Sequence, residues 1–387
     1  YLPVIGTPIK GKPISEIKRQ KSLANEVDAA VNAIINRLKV AKNPVVLPAM
    51  LVRNYGLKTK LEAFLAKSNI PYATTLGDKA IVSEQSDGYL GIYNGDMSFP
   101  LAVRDVVQSA DLILNIGGVV FEDLTTGLWS DAISADRLIT INDNWVQIGT
   151  SVWLETALED VIDGLIAQTP KFEKRRDIPV YPAANMIGAG SDPTTSAAFY
   201  PRLEKMLKPN DIVVSETGSC MLHLANMRLP AEASFEIQAL WGSIGWATPA
   251  ALGVTMANTK SRTIMITGDG SHQLTLNDIA VMGRYGIKPI IFVLNNGIFG
   301  VEDVLSERGH EYDNLAPVNY HMLPEALGCK GWLTAKASTV AELEDAISKI
   351  GKHDGASYIE VMIPESESQP FPEDLIDKMY KFRTPTK

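Results

Sequence analysis

Cysteine is scarce: Cys220 and Cys329 are the two in 387 residues, too few and too far apart for a disulfide framework or a clustered zinc site. That usage suits a reducing interior, and a cytoplasmic location is expected. Positive charge is in deficit as well, with 36 Lys and Arg against 45 Asp and Glu and a net charge of -9. No global field exists that would draw phosphate backbones or anionic lipid, so nucleic acid is not an expected partner. No apolar run reaches the roughly 18 residues that span a bilayer. The first residues lack a basic segment followed by an apolar core, so neither a signal peptide nor a membrane association is expected. With 45% hydrophobic and 21% charged residues, disorder, collagen and coiled coil are excluded too.

What is present is an alternation. Apolar residues recur at helical spacing from Leu23 to Ala41, and PVVLPA (44–49) then reads as a short buried strand. Helical KLEAFLAK (60–67) precedes IPYATT, helical VRDVVQSA (103–110) precedes the strand DLILNIGG, RLITIN is a further strand, and helical ALEDVIDGLIAQ ends at residue 168. Residues 169–192 break the pattern with charge, Pro and Gly and read as a linker. The alternation restarts at 193, with strands DIVVS, TIMIT, PIIFVLNN and SYIEVMI between helical stretches. Continuous apolar strands between helices predict α/β architecture with two doubly wound parallel-sheet domains, 1–168 (of which 1–20 look linker-like) and 193–387. Such sheets bind ligands beyond the carboxyl ends of their strands, which directs attention to Ser215 onward, Thr267 onward and Leu294 onward.

The strand TIMIT runs straight into Gly268-Asp269-Gly270-Ser271, whose glycines permit a tight turn with backbone amides able to cradle a phosphate. PIIFVLNN ends in Asn295-Asn296. Read alone, each is also an ordinary turn sequence. On neighbouring parallel strands, Asp269 and Asn296 would bring together a carboxylate and an amide oxygen, hard ligands suited to Mg²⁺ carrying a diphosphate.

GDG, a run of roughly 25 residues and NN together resemble the motif of the thiamine diphosphate (ThDP) enzymes. SETGSC (215–220) and FEIQALWGSIGWATPAALG (235–253) are similar to the pyruvate and indolepyruvate decarboxylase branch. The resemblance covers nearly the whole chain: residues 1–168 are similar to the family's Rossmann-like central domain, and those from 193 on to its diphosphate-binding domain. It implies Asp269, Asn296 and the Ile298 carbonyl as Mg²⁺ ligands, and Gly270 and Ser271 on the diphosphate. Thr217 and Ser219 would line the cofactor site. The Gly242 carbonyl and Ile244 amide would bond the aminopyrimidine, with the Ile244 side chain as the wedge that bends the cofactor. Glu302 would be catalytic, reaching the substrate carboxylate and assisting proton transfer. Seen without the resemblance, a first-turn Glu simply favours the helix dipole; in a dry, apolar pocket a carboxylate has its pKa raised toward the working pH.

The implied reaction is the non-oxidative decarboxylation of a small 2-oxo acid (phenylpyruvate, indolepyruvate or pyruvate) to an aldehyde, with carboligation and a catalytically silent ThDP-binding subunit as the alternatives. The family's activating Glu lies in an N-terminal pyrimidine-binding domain with no counterpart in this sequence, so either a polypeptide carrying that domain is a partner, in a dimer or tetramer of such pairs, or the sequence is a cleaved or truncated product. Ile298, Phe299 and Gly300 stand where pyruvate decarboxylases usually have Gly-Tyr-Thr, and Ser306 replaces a common His. Val301, in place of the Ile of pyruvate-specific members, tilts the expectation toward bulkier acids, since one methylene is worth about 1 to 3 kcal/mol of discrimination. His272 is expected only to cover the cofactor's edge, Cys220 to fill space, and His223, His310, His321 and His353 to be structural or surface residues.

Overall fold

The computed structural model describes residues 21–118, 133–305, 309–365 and 367. The linker-like 1–20, Ser306 and the tail from 368 lie outside the described residues. In the first half, α1 (Ala24–Val40) buries Ala30, Val31, Ile34, Ile35 and Leu38, the three-and-four spacing of a helical stripe. The elements that follow are β1 (Pro44–Pro48), α2 (Met50–Asn54), α3 (Lys58–Ser68), β2 (Tyr72–Thr74), β3 (Tyr89–Ile92), α4 (Ala102–Gln108), β4 (Leu112–Ile116), β5 (Leu138–Ile141), β6 (Trp145–Ile148), β7 (Ser151–Leu154) and α5 (Leu158–Gln168). They form a sheet of order β3-β2-β1-β4-β5-β6-β7.

From β3 to β5 every pairing is parallel, and β1 and β4 are buried along their whole length, as strands covered on both faces should be. The pairings β5-β6 and β6-β7 are antiparallel. The first sheet is thus parallel, as expected, with an antiparallel hairpin added at one edge. Only two residues separate β6 from β7, far too few for the crossover a parallel pair needs.

The second half runs α6 (Ser196–Met206), β8 (Ile212–Ser215), α7 (Ser219–Ala225), β9 (Ser234–Ile237), α8 (Ala247–Ala257), β10 (Thr263–Gly268), α9 (Asp269–Gln273), α10 (Asp278–Tyr285), β11 (Ile290–Asn295), α11 (Gly300–Leu305), α12 (Leu323–Ala326), β12 (Leu333–Ala337), α13 (Val340–Ile350) and β13 (Ser357–Met362). The sheet order is β12-β13-β11-β10-β8-β9, with every pairing parallel. Local signals agree with this: Thr339 and Glu342 close a capping box on α13, fixing where that helix begins. Registers Gly268↔Leu294 and Ile266↔Ser215 bring the carboxyl ends of β8, β10 and β11 to one edge. The fold is α/β with two doubly wound sheets.

The two halves are joined by more than the chain. Leu76 packs against Met221, Leu222 and Ala225 of α7. The Lys79 ammonium lies 2.8 Å from Glu84 Oε1 with both side chains buried, and donates to the Met227 carbonyl at 2.6 Å. Glu84 in turn accepts from the Leu229 amide at 2.7 Å. Among the described residues no helix is long and apolar enough to cross a membrane.

Candidate active site

A cavity of about 160 Å³ opens at the carboxyl ends of β8, β10 and β11. All ten residues singled out in the sequence line it: Asp269, Asn296 and Ile298; Gly270 and Ser271; Thr217 and Ser219; Gly242 and Ile244; and Glu302.

Asp269 opens α9 directly beyond β10 and is buried. Its Oδ1 accepts from the Gly270 amide at 2.9 Å and its Oδ2 from the Gly297 amide at 2.7 Å. Burial nonetheless pushes its pKa up to about 6. One end of the Asn296 carboxamide lies 3.2 Å from Asp269 Oδ1 and 2.9 Å from the Ile298 carbonyl oxygen. With its NH₂ there, the amide donates to both. Turned over, it sets its oxygen at those distances from the other two, near the roughly 2.9 Å between adjacent ligands on an octahedral ion with bonds of about 2.1 Å. One carboxylate, one amide and one carbonyl form a hard donor set, and such a set fits Mg²⁺. No cluster of three His, Cys, Asp or Glu able to hold a metal exists among the described residues.

The glycines of the turn serve different purposes. A Cβ on Gly268 would meet nothing within 4 Å, whereas one on Gly270 would come within 2.5 Å of the Phe299 ring. Gly268 therefore leaves room in the cavity, while Gly270 lets the backbone approach the segment beyond β11.

Across the cavity, Thr217 Oγ1 donates to the Gln238 carbonyl at 3.2 Å, tying the β8 end to the segment beyond β9. Gly242 and Gly245 take φ of 60° and 80°, the left-handed region that favours glycine, and so turn the chain around Ile244. Ile244 of the cavity wall, Trp241 beside Gly242 in the chain and Leu274, which lies against Gly245, are 41%, 79% and 59% exposed. Glu302 lies in the first turn of α11 and is exposed. The dry surroundings anticipated for it are therefore not supplied by the described residues of this chain.

Two histidines need correction. His272 is fully buried, its ring held between Thr248 Oγ1 at 2.9 Å and the Tyr358 hydroxyl at 2.8 Å, so it props α8 against β13 and does not line the cavity. His223 does line it, with its ring stacked 4.3 Å from that of Tyr200. Burial takes both imidazoles down to about 4, so both are neutral near pH 7. Cys220 is buried in the cavity wall and burial pushes its thiol up to about 12, which suits the space-filling role.

Glu216 belongs to the site although no motif singles it out. Its fully buried carboxylate accepts from the Thr217 amide at 3.2 Å, the Ala247 amide at 3.3 Å and Thr267 Oγ1 at 3.4 Å. It thereby fixes the ends of β8 and β10 relative to the start of α8. Burial raises its pKa against these hydrogen bonds. A carboxylate one residue beyond an apolar strand was the available signal.

Residues 31–166 match the model for the central domain of thiamine pyrophosphate enzymes, and residues 216–361 match that for their C-terminal TPP binding domain. The chain belongs to the thiamine pyrophosphate enzymes. Among curated relatives of this enzyme family, an alpha-keto-acid decarboxylase of Mycolicibacterium paratuberculosis is 30% identical over 90% of this chain and 61% of its own length. One of Mycobacterium bovis is 31% identical over 83% of this chain and 58% of its own. The chain thus spans about three fifths of the relatives it matches. The crystal structure of benzoylformate decarboxylase from Polynucleobacter necessarius superposes with a TM-score of 0.74, covering 94% of this chain and 69% of that one at 18% identity, a likeness of fold.

Proposed function

We propose that this chain is the ThDP- and Mg²⁺-binding part of a 2-oxo acid decarboxylase, a lyase that releases an aldehyde. The observation that carries the reading is the convergence of the Asp269, Asn296 and Ile298 oxygens on one side of a cavity that also contains an acidic side chain, Glu302. The curated relatives named alpha-keto-acid decarboxylase support it. ThDP, when bound, supplies a nucleophilic carbon and an electron sink for the leaving CO₂.

In this reading Asp269, Asn296 and the Ile298 carbonyl bind Mg²⁺, while Gly270 and Ser271 hold the diphosphate. Thr217 and Ser219 line the cofactor site, the Gly242 carbonyl and Ile244 amide fix the aminopyrimidine, and the Ile244 side chain acts as the wedge. Glu302 takes up and returns a proton beside the substrate carboxylate. The apolar side chains at the mouth, Trp241, Ile244 and Leu274, are covered by a polypeptide carrying a pyrimidine-binding domain, which supplies the activating Glu and excludes water from Glu302. Dimers or tetramers of such pairs, a division of the chain at residues 169–192, and a cytoplasmic location complete the proposal.

The test is reconstitution with such a polypeptide, ThDP and Mg²⁺, assayed for aldehyde release from phenylpyruvate, indolepyruvate and pyruvate. Glu302→Gln is expected to keep cofactor binding and to lower turnover by about 100-fold or more, the range for a positioned acid or base. Near-normal turnover in that variant would return Glu302 to a helix-dipole role. Acyloin products in place of aldehydes would mean carboligation, and cofactor binding without any turnover would mean a silent subunit.

A further inference from the structure

Part of the cavity wall has no use in the chemistry just described. On α7, His223 follows Ser219 by four residues, so the two side chains share one helix face. Four residues also place His223 about 6 Å further along the axis than Ser219. Gly218, capping the same helix, faces Val301 of α11: a Cβ there would sit 4.0 Å from Val301 Cγ2. The start of α7 and the start of α11 thus form two sides of one pocket.

The character of that pocket is specific. Cys220, Val301 and Ile363 contribute neutral surface. The His223 ring is set in orientation by its stacking on Tyr200, with 20° between the planes, yet its nitrogens make no hydrogen bond to any described residue. Those nitrogens are half-buried and open to the cavity, whereas the Tyr200 hydroxyl behind them is buried outright with no partner among the described residues. Burial keeps the imidazole neutral, with its pKa down at about 4, so it offers one donor and one acceptor. The charged groups lining the cavity besides Asp269 are carboxylates, Glu302 and Glu367, and Glu367 accepts from the Ser196 amide and hydroxyl at 2.8 Å each. No cation lines the cavity among the described residues, so a second carboxylate on a substrate would find repulsion and no counterion.

A polar group that meets water in the open cavity loses that partner when a ligand covers it, so a site with such a group in its wall rejects ligands that cannot pair with it. We propose that His223 is a specificity-determining residue for the side chain of the 2-oxo acid, selecting an aromatic ring that carries a hydrogen-bonding atom, such as an indole N–H or a phenol, over a hydrocarbon ring and over an acidic side chain. This rests on the decarboxylase reading above.

The test compares the wild-type assembly with His223→Phe, which keeps a flat ring on Tyr200 and removes both nitrogens, and with His223→Gln, which restores a donor and an acceptor. kcat/KM is measured for indol-3-ylpyruvate, 4-hydroxyphenylpyruvate, phenylpyruvate and 2-oxoglutarate. In parallel, calorimetry measures binding of the unreactive analogues 3-(indol-3-yl)propanoate and 3-phenylpropanoate. In the wild type the two polar aromatic acids are expected to lead and 2-oxoglutarate to trail. In His223→Phe the ratio of indol-3-ylpyruvate to phenylpyruvate is expected to fall by about 10-fold or more, chiefly through KM, with the analogue ratio falling in step and His223→Gln recovering part of both. An unchanged ratio, or an equal loss on every acid and analogue, would overturn the proposal. Analogue discrimination that depends on His223 without aldehyde from any acid would instead remove the decarboxylase reading and leave the pocket's preference standing.

Discussion

Both sheets place a glycine at the carboxyl end of a buried central strand, and the two ends have opposite fates. Beyond β4, a Cβ on Gly118 would collide with the Asn115 carboxamide, and one on Gly117 would come within 3.0 Å of the Val52 amide. The protein itself occupies that space. Beyond β10, Gly268 faces nothing within 4 Å and the cavity begins. Doubly wound topology offers a crevice at the strand ends, but the side chains that follow decide whether it stays open. In the first half the described residues fill it with their own atoms; in the second the chain leaves it open and rings it with oxygens.

The sharpest way to break this comparison is to remove one polar side chain from each end. Asp269→Ala is expected to weaken Mg²⁺-dependent ThDP binding by at least about 100-fold with the fold retained, since it deletes the carboxylate of the proposed donor set. Asn115→Ala should leave ThDP affinity unchanged and lower stability by about 1 to 3 kcal/mol. Titrations with and without Mg²⁺, beside denaturant unfolding, check both. Equal affinity in wild type and Asp269→Ala would remove the metal assignment.

Exchanging glycines is the next test. Gly118→Ala should cost about 1 to 3 kcal/mol through overpacking, read as a lower denaturation midpoint. Gly268→Ala should cost under about 1 kcal/mol yet impair ThDP binding, because its methyl would enter the cavity. If Gly268→Ala loses stability and keeps affinity, the two strand ends are alike after all.

A further test concerns acid. His223 and His272 sit in the second half with pKa values near 4, below the roughly 6.5 of an unfolded His. The unfolded chain therefore binds more protons in that window, and stability present above pH 6.5 is lost as pH falls toward 4. His272→Gln should flatten the decline in unfolding midpoint between those values. An unaltered slope would show that burial does not shift the His272 pKa.

Much of this was legible in the sequence for physical reasons. Strands such as PVVLP and IIFVLN are uninterrupted apolar runs because both faces are covered, and α13 carries its own cap. Glycine, Asp and Asn at strand ends mark the cavity because few other residues combine tight turns with hard ligands. The hairpin β6-β7 escaped notice because its outer strand is largely exposed, leaving little hydrophobic pattern to read. Glu216 and His223 escaped for another reason: each gains its meaning from neighbours distant in sequence, Ala247 and Thr267 for one and Tyr200 for the other.

The buried Lys79–Glu84 pair has a bearing on how the molecule comes apart. Separating the halves would expose a contact in which a lysine, a glutamate and the backbone at Met227 and Leu229 satisfy one another. Lys79 and Glu84 both belong to the first half and stay paired when the halves part, but opening takes the Met227 carbonyl from the ammonium and the Leu229 amide from the carboxylate, each loss costing about 1 to 3 kcal/mol until water replaces the partner. The two sheets should consequently melt in a single cooperative transition, and a protease that nicks residues 169–192 should yield two fragments that still migrate as one particle.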